Sequence, residues 1–416
     1  MKKSIKILIT LSLYFIITLN FSCSDQPTPP KDRFTQWNED IDYLSSQFKS
    51  KQLNFSTLIP EEKFNNTISS IKNSINSLQD YEIYFKLKQL IASLKVAHTL
   101  IVPPDRSKFH FLPVYTKKFS DGLYIIQADQ QNLNLLGKKI IKVGNFDVSV
   151  VEDSLKKLIS YENDYWADYQ LPGTFSSVEA LKYFGFTDDL SKVELEIAGE
   201  GKIILNSIEQ YNSNFTYGYK SVLGNVALPL YLQNYSSYYW YTFLESNEVL
   251  YIEYNKCANA ANESFESFTN DIKNFVTSNQ VKKIIVDLRN NGGGNSDIIR
   301  PLLTYLKSSP FNNAGSLFVI IGNHTFSSGE LDAVYFKQET NCLLVGEPTG
   351  GKPNSYGEVL SFTLPNTGIY AQYCTKYFTV MSNDPEALFP DYSVDLTSQD
   401  FLNGRDPVLD FILNFN

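Results

Sequence analysis

The chain has 416 residues, 43% of them hydrophobic and 14% aromatic, and a formal net charge of −9. That length and apolar content supply a large core, divided among two or three domains. The acidic balance and the scarcity of arginine leave no basic groove, which excludes nucleic acid as a partner.

The N-terminus reads "MKKSIK", then the apolar run "ILITLSLYFIITLNF", then "SCSDQPTPP". A basic leader, an apolar stretch and a small residue before Cys23 predict a secretory signal. Ser22-Cys23 predicts more narrowly a bacterial lipoprotein signal over 1–23, with Cys23 lipidated as the first mature residue. A plain signal peptide or a single membrane anchor is the alternative. Residues 24–34 are polar and proline-rich and read as a flexible tether. No later segment has the about 18 apolar residues that span a bilayer. The expected location is outside the cytoplasm, lipid-anchored to a bacterial envelope membrane, facing the periplasm or the surface.

Residues 35–105 predict a helical domain. Ile83, Leu87, Leu90, Ile91 and Leu94 recur at helical spacing, with Asp80 as N-cap. The helix leads to "KVAHT" and the breaker "VPP". Over 106–205 the pattern changes: "GLYIIQAD", "GKKIIKVGNFDVSV" and "KVELEIAG" alternate as strands do, around a short helix "VEDSLKKLISY". This unit resembles a degenerate PDZ domain through "LLGKKIIKVGNFDV". Such a domain captures an extended peptide along a strand edge; a plain α+β insert without a ligand is the alternative.

Residues 206–416 hold the most regular pattern. Strands "EVLYIEY", "KKIIVDL", "SLFVIIG" and "CLLVGE" alternate with helices "FESFTNDIKNFVTS", one capped by Ser296, and "SSGELDAVYFKQE". A hairpin "LSFTLPNTGIYAQY" follows, and "DPVLDFIL" closes the chain as a helix capped by Asp406. The alternation predicts an α/β fold with a mostly parallel sheet and covering helices. Ligands gather beyond the carboxyl ends of such strands. Three informative loops lie there: "RNNGGGN", "NHTFSSGE" and "EPTGGKP". The last spells G-x-x-x-x-G-K from Gly346 to Lys352. Pro353 stands where a phosphate loop needs a magnesium-binding hydroxyl, and no helix pattern follows, so a nucleotide is excluded. Cys257, Cys342 and Cys374 lack metal-type spacing and read as buried small residues. With only three histidines no metal is expected, and no cofactor.

The glycine loop suits an oxyanion hole, or simply a tight turn. Ser327, at a helix start, is either a nucleophile or a cap. "DLRNNGGG", "TFSSGELDA" and "VGEPTGGK" together resemble the tail-specific, or C-terminal-processing, serine proteases, over about the last 170 residues. The resemblance implies their crotonase-like layout, after an N-terminal helical region and a PDZ-like insert. It implies Ser327 as nucleophile in an S-x-x-E motif with Glu330. It implies Lys352, 25 residues on, as general base, Gln338 as the orienting polar residue, and the N–H groups of Ser327, Gly293 and Gly294 as oxyanion donors. A lysine base needs its pKa brought from about 10.4 to roughly 7 or 8 by burial. Relatives of the tricorn-core and interphotoreceptor retinoid-binding-protein type carry L-x-D-x-H-T at the end of the helical region, and proteolytic members use its histidine. Here "LKVAHT" puts His98 there, with Val96 replacing the aspartate and Glu358 as a candidate acidic partner. Both bases stay open. The implied function is an exported serine endopeptidase acting on polypeptides through an acyl-enzyme. The alternative is an inactive protein binding peptides or apolar ligands on the same scaffold. A nucleophile elbow G-x-S-x-G is missing, and "SLKK" lacks the partners of a penicillin-binding site.

Overall fold

The structure, a computed structural model, describes residues 31–209 and 227–415. Cys23 and its leader lie outside the described residues. Four helices come first: α1 (Arg33–Lys51), α2 (Phe55–Leu58), α3 (Glu61–Ser74) and α4 (Asp80–Ala92). Asp32 caps α1, accepting from the Thr35 N–H at 2.8 Å. The expected cap of α4 is displaced by one residue. Gln79 is the cap, its N–H donating to Glu82 Oε2 at 2.7 Å. Asp80 is the first helical residue, and its carboxylate accepts from Arg33 and Trp37 of α1. The apolar face read from the sequence is inside: Ile83, Leu87, Leu90, Ile91 and Leu94 are all buried.

The chain then forms strand β1 (Leu100–Val102), a hairpin of β2 (Val114–Phe119) and β3 (Gly122–Ala128), and strands β4 (Ile140–Val143) and β5 (Phe146–Asp147). Helices α5 (Val148–Leu155), α6 (Asp164–Phe175) and α7 (Val178–Tyr183) follow, then β6 (Lys192–Ile197) and β7 (Gly201–Asn206). An antiparallel sheet runs in the order β5-β4-β6-β7. The strand expected through "DVSV" stops early because Val151 and Leu155 bury one face of a helix there. Helices α6 and α7 were not legible in the pattern. Each begins at a side-chain cap: Asn163 accepts from the Trp166 N–H, and Ser177 from the Ala180 N–H.

The last region carries a six-stranded sheet, ordered β15-β12-β11-β10-β9-β8. Its elements are β8 (Tyr239–Leu244), β9 (Val249–Tyr254), α8 (Phe265–Ser278), β10 (Lys283–Asp287), α9 (Arg300–Ser308), β11 (Leu317–Ile321), α10 (Ser328–Glu339) and β12 (Leu343–Gly346). Then come the hairpin β13 (Ser355–Thr363) and β14 (Tyr370–Phe378), edge strand β15 (Tyr392–Ser393), α11 (Ser398–Leu402) and α12 (Pro407–Leu413). Strands β9 to β12 and β15 are parallel; only β8 runs against its neighbour. The mixed α/β architecture with a mostly parallel sheet agrees with the sequence pattern. Ser296 does not cap α9. Asn295 instead caps a turn through the Asp297 N–H, and the helix starts at Arg300. Asp406 does cap α12, accepting from Val408 and Leu409.

One join matters for the site. β1 pairs antiparallel with β14, Ile101 opposite Ala371. A single apolar cluster runs from Trp37 of α1 through Leu195 of β6 to Tyr373 of β14. The N-terminal helices, the middle unit and the hairpin are therefore packed as one body at this face. Cys257, Cys342 and Cys374 are buried and unbridged.

Candidate active site

Ser327 sits between β11 and α10 and caps the helix from a strained backbone, φ 57° and ψ −125°. A non-glycine residue held there costs on the order of 1–3 kcal/mol, so surrounding packing must impose it. The packing is visible. Phe326 donates its N–H to the Asn291 carbonyl at 3.0 Å, and the Thr325 hydroxyl donates to the Leu288 carbonyl at 2.9 Å. Glu330, on the first turn of α10, is buried, and burial pushes its carboxyl well up, opposed by Thr349. It packs under the Gly351 turn, where a Cβ at Gly351 would meet the Glu330 Cβ at 2.8 Å.

The glycine loop leaves β10 beside Ser327. Gly293 has φ +107°, and a Cβ there would stand 2.7 Å from the Ser327 Cβ. Only glycine fits that approach. Asn291 organises the turn: its buried amide oxygen accepts from the Gly293 N–H at 2.9 Å and from the Cys257 thiol at 3.2 Å. The Gly293 N–H, an expected oxyanion donor, is thus committed within the loop. The N–H groups of Gly294, Ser327 and Ser328 engage no described residue. A buried charge network fixes the loop's start. Arg289 bridges Asp287 at 2.8 Å and Asp406 at 3.0 Å, and Asn290 reaches Glu253 at 3.1 Å.

His98 enters from the turn between α4 and β1. Its Nε2 lies 3.0 Å from Ser327 Oγ. Gln372 of β14 donates to the His98 carbonyl at 2.7 Å, and Ser160 holds the next carbonyl, that of Thr99, at 2.6 Å. The imidazole stacks on Phe326, centroids 4.5 Å apart, and Phe326 stacks on Trp166 of α6 at 3.8 Å. The stack continues through Tyr169 to His324. Burial pushes His98 down to about 4, opposed only by the Tyr356 main chain. The ring is neutral at neutral pH. Its Nδ1 is buried, and the ring's other polar neighbour is the Tyr356 main chain rather than a carboxylate. Glu358 does not supply one; it is exposed on β13.

Lys352 lies in a different setting. Its Nζ pairs with Asp384 at 2.7 Å. Partial burial lowers its pKa, but the hydrogen bond and charge of Asp384 outweigh that, and the net shift is upward. That is the reverse of what a lysine base requires. Gln338 is remote from this pair: it is exposed, donating to the Val380 carbonyl at 2.7 Å. The structure thus brings Ser327, His98 and the glycine loop together, while Lys352 is engaged by Asp384 and Gln338 by the Val380 carbonyl. Sequence reasoning missed Phe326, Trp166 and Asn291, whose roles depend on contacts between distant segments. It also missed Asn163, whose amide reaches the Glu386 carbonyl at 2.8 Å and ties α6 to the far side of the site.

Residues 248–309 match the family model described as Peptidase family S41. That stretch contains the glycine loop and ends before Ser327. No curated protein sequence matches the chain. In fold, the chain is similar to mature CPAF in complex with lactacystin: TM-score 0.60, 13% identity, 92% of this chain and 99% of that one covered. Mature CPAF alone matches equally, at TM-score 0.60 and 13% identity, covering 91% and 96%. The tricorn protease is similar at TM-score 0.49 and 14% identity, over 92% of this chain and 37% of that one. Over those residues the family match agrees with the resemblance to the tail-specific S41 peptidases.

Proposed function

We propose that the protein is a serine endopeptidase in which Ser327 is the nucleophile and His98 the general base. The observation that carries this is the 3.0 Å approach of a buried, neutral imidazole nitrogen to a hydroxyl held at a strained helix start. Ser327 Oγ attacks the peptide carbonyl carbon and its proton passes to His98 Nε2. The C–N bond breaks as that proton moves to the leaving amine, leaving an acyl ester on Ser327. Water then attacks the ester, giving a proton to His98, which passes it to Ser327 Oγ as the acyl C–O bond breaks and the carboxylic product leaves. The unengaged N–H groups of Gly294, Ser327 and Ser328 would hold the oxyanion, favoured by the N-terminal end of α10. The substrate is polypeptide. Strand–helix alternation supports the crotonase-like layout, and the β5-β4-β6-β7 unit is read as the PDZ-like module. The leader and Ser22-Cys23 support export and a lipid anchor on Cys23, which incorporation of labelled palmitate in cells would test. The central test is casein hydrolysis by the purified protein. Cleavage by the wild type and none by folded Ser327→Ala is expected; unchanged cleavage by that variant would sink the assignment.

A further inference from the structure

A cavity of about 350 Å³ opens at the Tyr169–His324 end of the aromatic stack. Its wall includes Asn290 of the glycine loop, His324 of the nucleophile loop, Glu347 after β12, and Lys117 of β2. It therefore lies beyond the carboxyl ends of β10, β11 and β12, where open parallel sheets take ligands. Tyr169 and Tyr231 add aromatic surface. Lys117 stands out in this wall. Its ammonium forms no hydrogen bond or ion pair with any described residue; its one contact of this kind is over the Phe119 ring, 5.6 Å from the centroid. Burial pushes its pKa down, with Glu347 opposing. Glu347 holds the Leu396 N–H at 3.1 Å, and burial pushes its carboxyl up. The two face the same space and attract one another, but no direct hydrogen bond or ion pair joins them. Buried charges are ordinarily paired at contact, so an ammonium held off its carboxylate across a cavity leaves room for an anion.

We propose that this cavity binds a single carboxylate of a peptide substrate, with Lys117 as its counter-ion. A dianion such as phosphate fits less well. Lys117 is one cation, the neighbouring Arg289 is occupied by Asp287 and Asp406, and Glu347 repels a second negative charge. The Glu347 carboxylate suits an amide N–H of the same ligand. That the ligand is a peptide rests on the peptidase reading of Ser327; that it carries a carboxylate does not.

The test is saturation-transfer NMR on the full-length protein with three probes at millimolar concentration. They are N-acetyl-glutamic acid α-amide, N-acetyl-alanine and N-acetyl-glutamine α-amide. At least one of the first two is expected to bind at least 5-fold tighter than the neutral third. Preference for the first identifies an acidic side chain as the ligand group; preference for the second identifies a chain end. Lys117→Met should erase the difference and Lys117→Arg keep it. Glu347→Gln should tighten the carboxylate probe, which keeps the proposal testable if Lys117→Met does not fold. The result should be the same in Ser327→Ala, so failure of the peptidase reading leaves it standing. Equal binding of all three, no binding of any, or a preference that survives Lys117→Met overturns it.

Discussion

Two corners of the site make opposite uses of a basic side chain. At one, His98 is buried against Phe326 with no counter-charge, and burial pushes it down to about 4. At the other, Lys352 is partly exposed and paired with Asp384, which holds its proton on. A base must be neutral at the working pH. Moving a lysine there from 10.4 needs a shift of about three units, or about 4 kcal/mol, which a carboxylate neighbour makes larger. The histidine begins near neutrality, and burial only lowers it further. On the proposed reading, the comparison teaches that spacing from Ser327 is a poor guide to the base; desolvation and the nearest carboxylate weigh more.

The largest expected effect is on the nucleophile both corners would serve. Ser327→Ala should lower kcat by on the order of 10⁴-fold or more, with its circular dichroism unchanged. Next comes the contrast itself. His98→Ala should lower kcat/KM by about 10²- to 10⁴-fold, whereas Lys352→Met should stay within about threefold of wild type. Equal losses in the two would collapse the distinction, and a larger loss in Lys352→Met would reverse it. A smaller effect should come from the stack. Phe326→Leu opens the His98 ring to water, so the acid limb of the kcat/KM profile should move up from about 4 toward 6.5. An unmoved limb would show that Phe326 does not set the basicity of His98.

The smallest effect is on stability. His98 and His324 are both pushed down to about 4 by burial. Below 6.5 the unfolded chain takes up protons that the folded one refuses, so their contribution is full above 6.5 and lost as pH falls toward 4. Glu162, raised to about 8 by burial, and Glu330, also raised by burial, have the opposite sign: they stabilise at low pH, and that is lost as pH rises through their folded values. The whole-protein profile therefore mixes both signs, and a difference between variants isolates one. Urea midpoints of His98→Gln and wild type should converge from pH 7 to pH 4.5; a constant gap would mean that His98 is already exposed.

The sequence alone determined the strand–helix alternation of the last region, the buried face of α4, the glycine loop and the helix start at Ser327. These are local: periodicity, capping and backbone freedom act over a few residues. It also carried both candidate bases, but not the choice between them. That choice depends on β1 annealing to β14, which brings residue 98 to residue 327, and on Trp166 and Phe326 closing over the imidazole. It depends equally on Asp384 reaching Lys352 across 32 positions. Such contacts leave no periodic trace in the chain, because they are set by how separate layers pack. Only the tertiary structure decided which side chain lost its water and which kept its counter-charge.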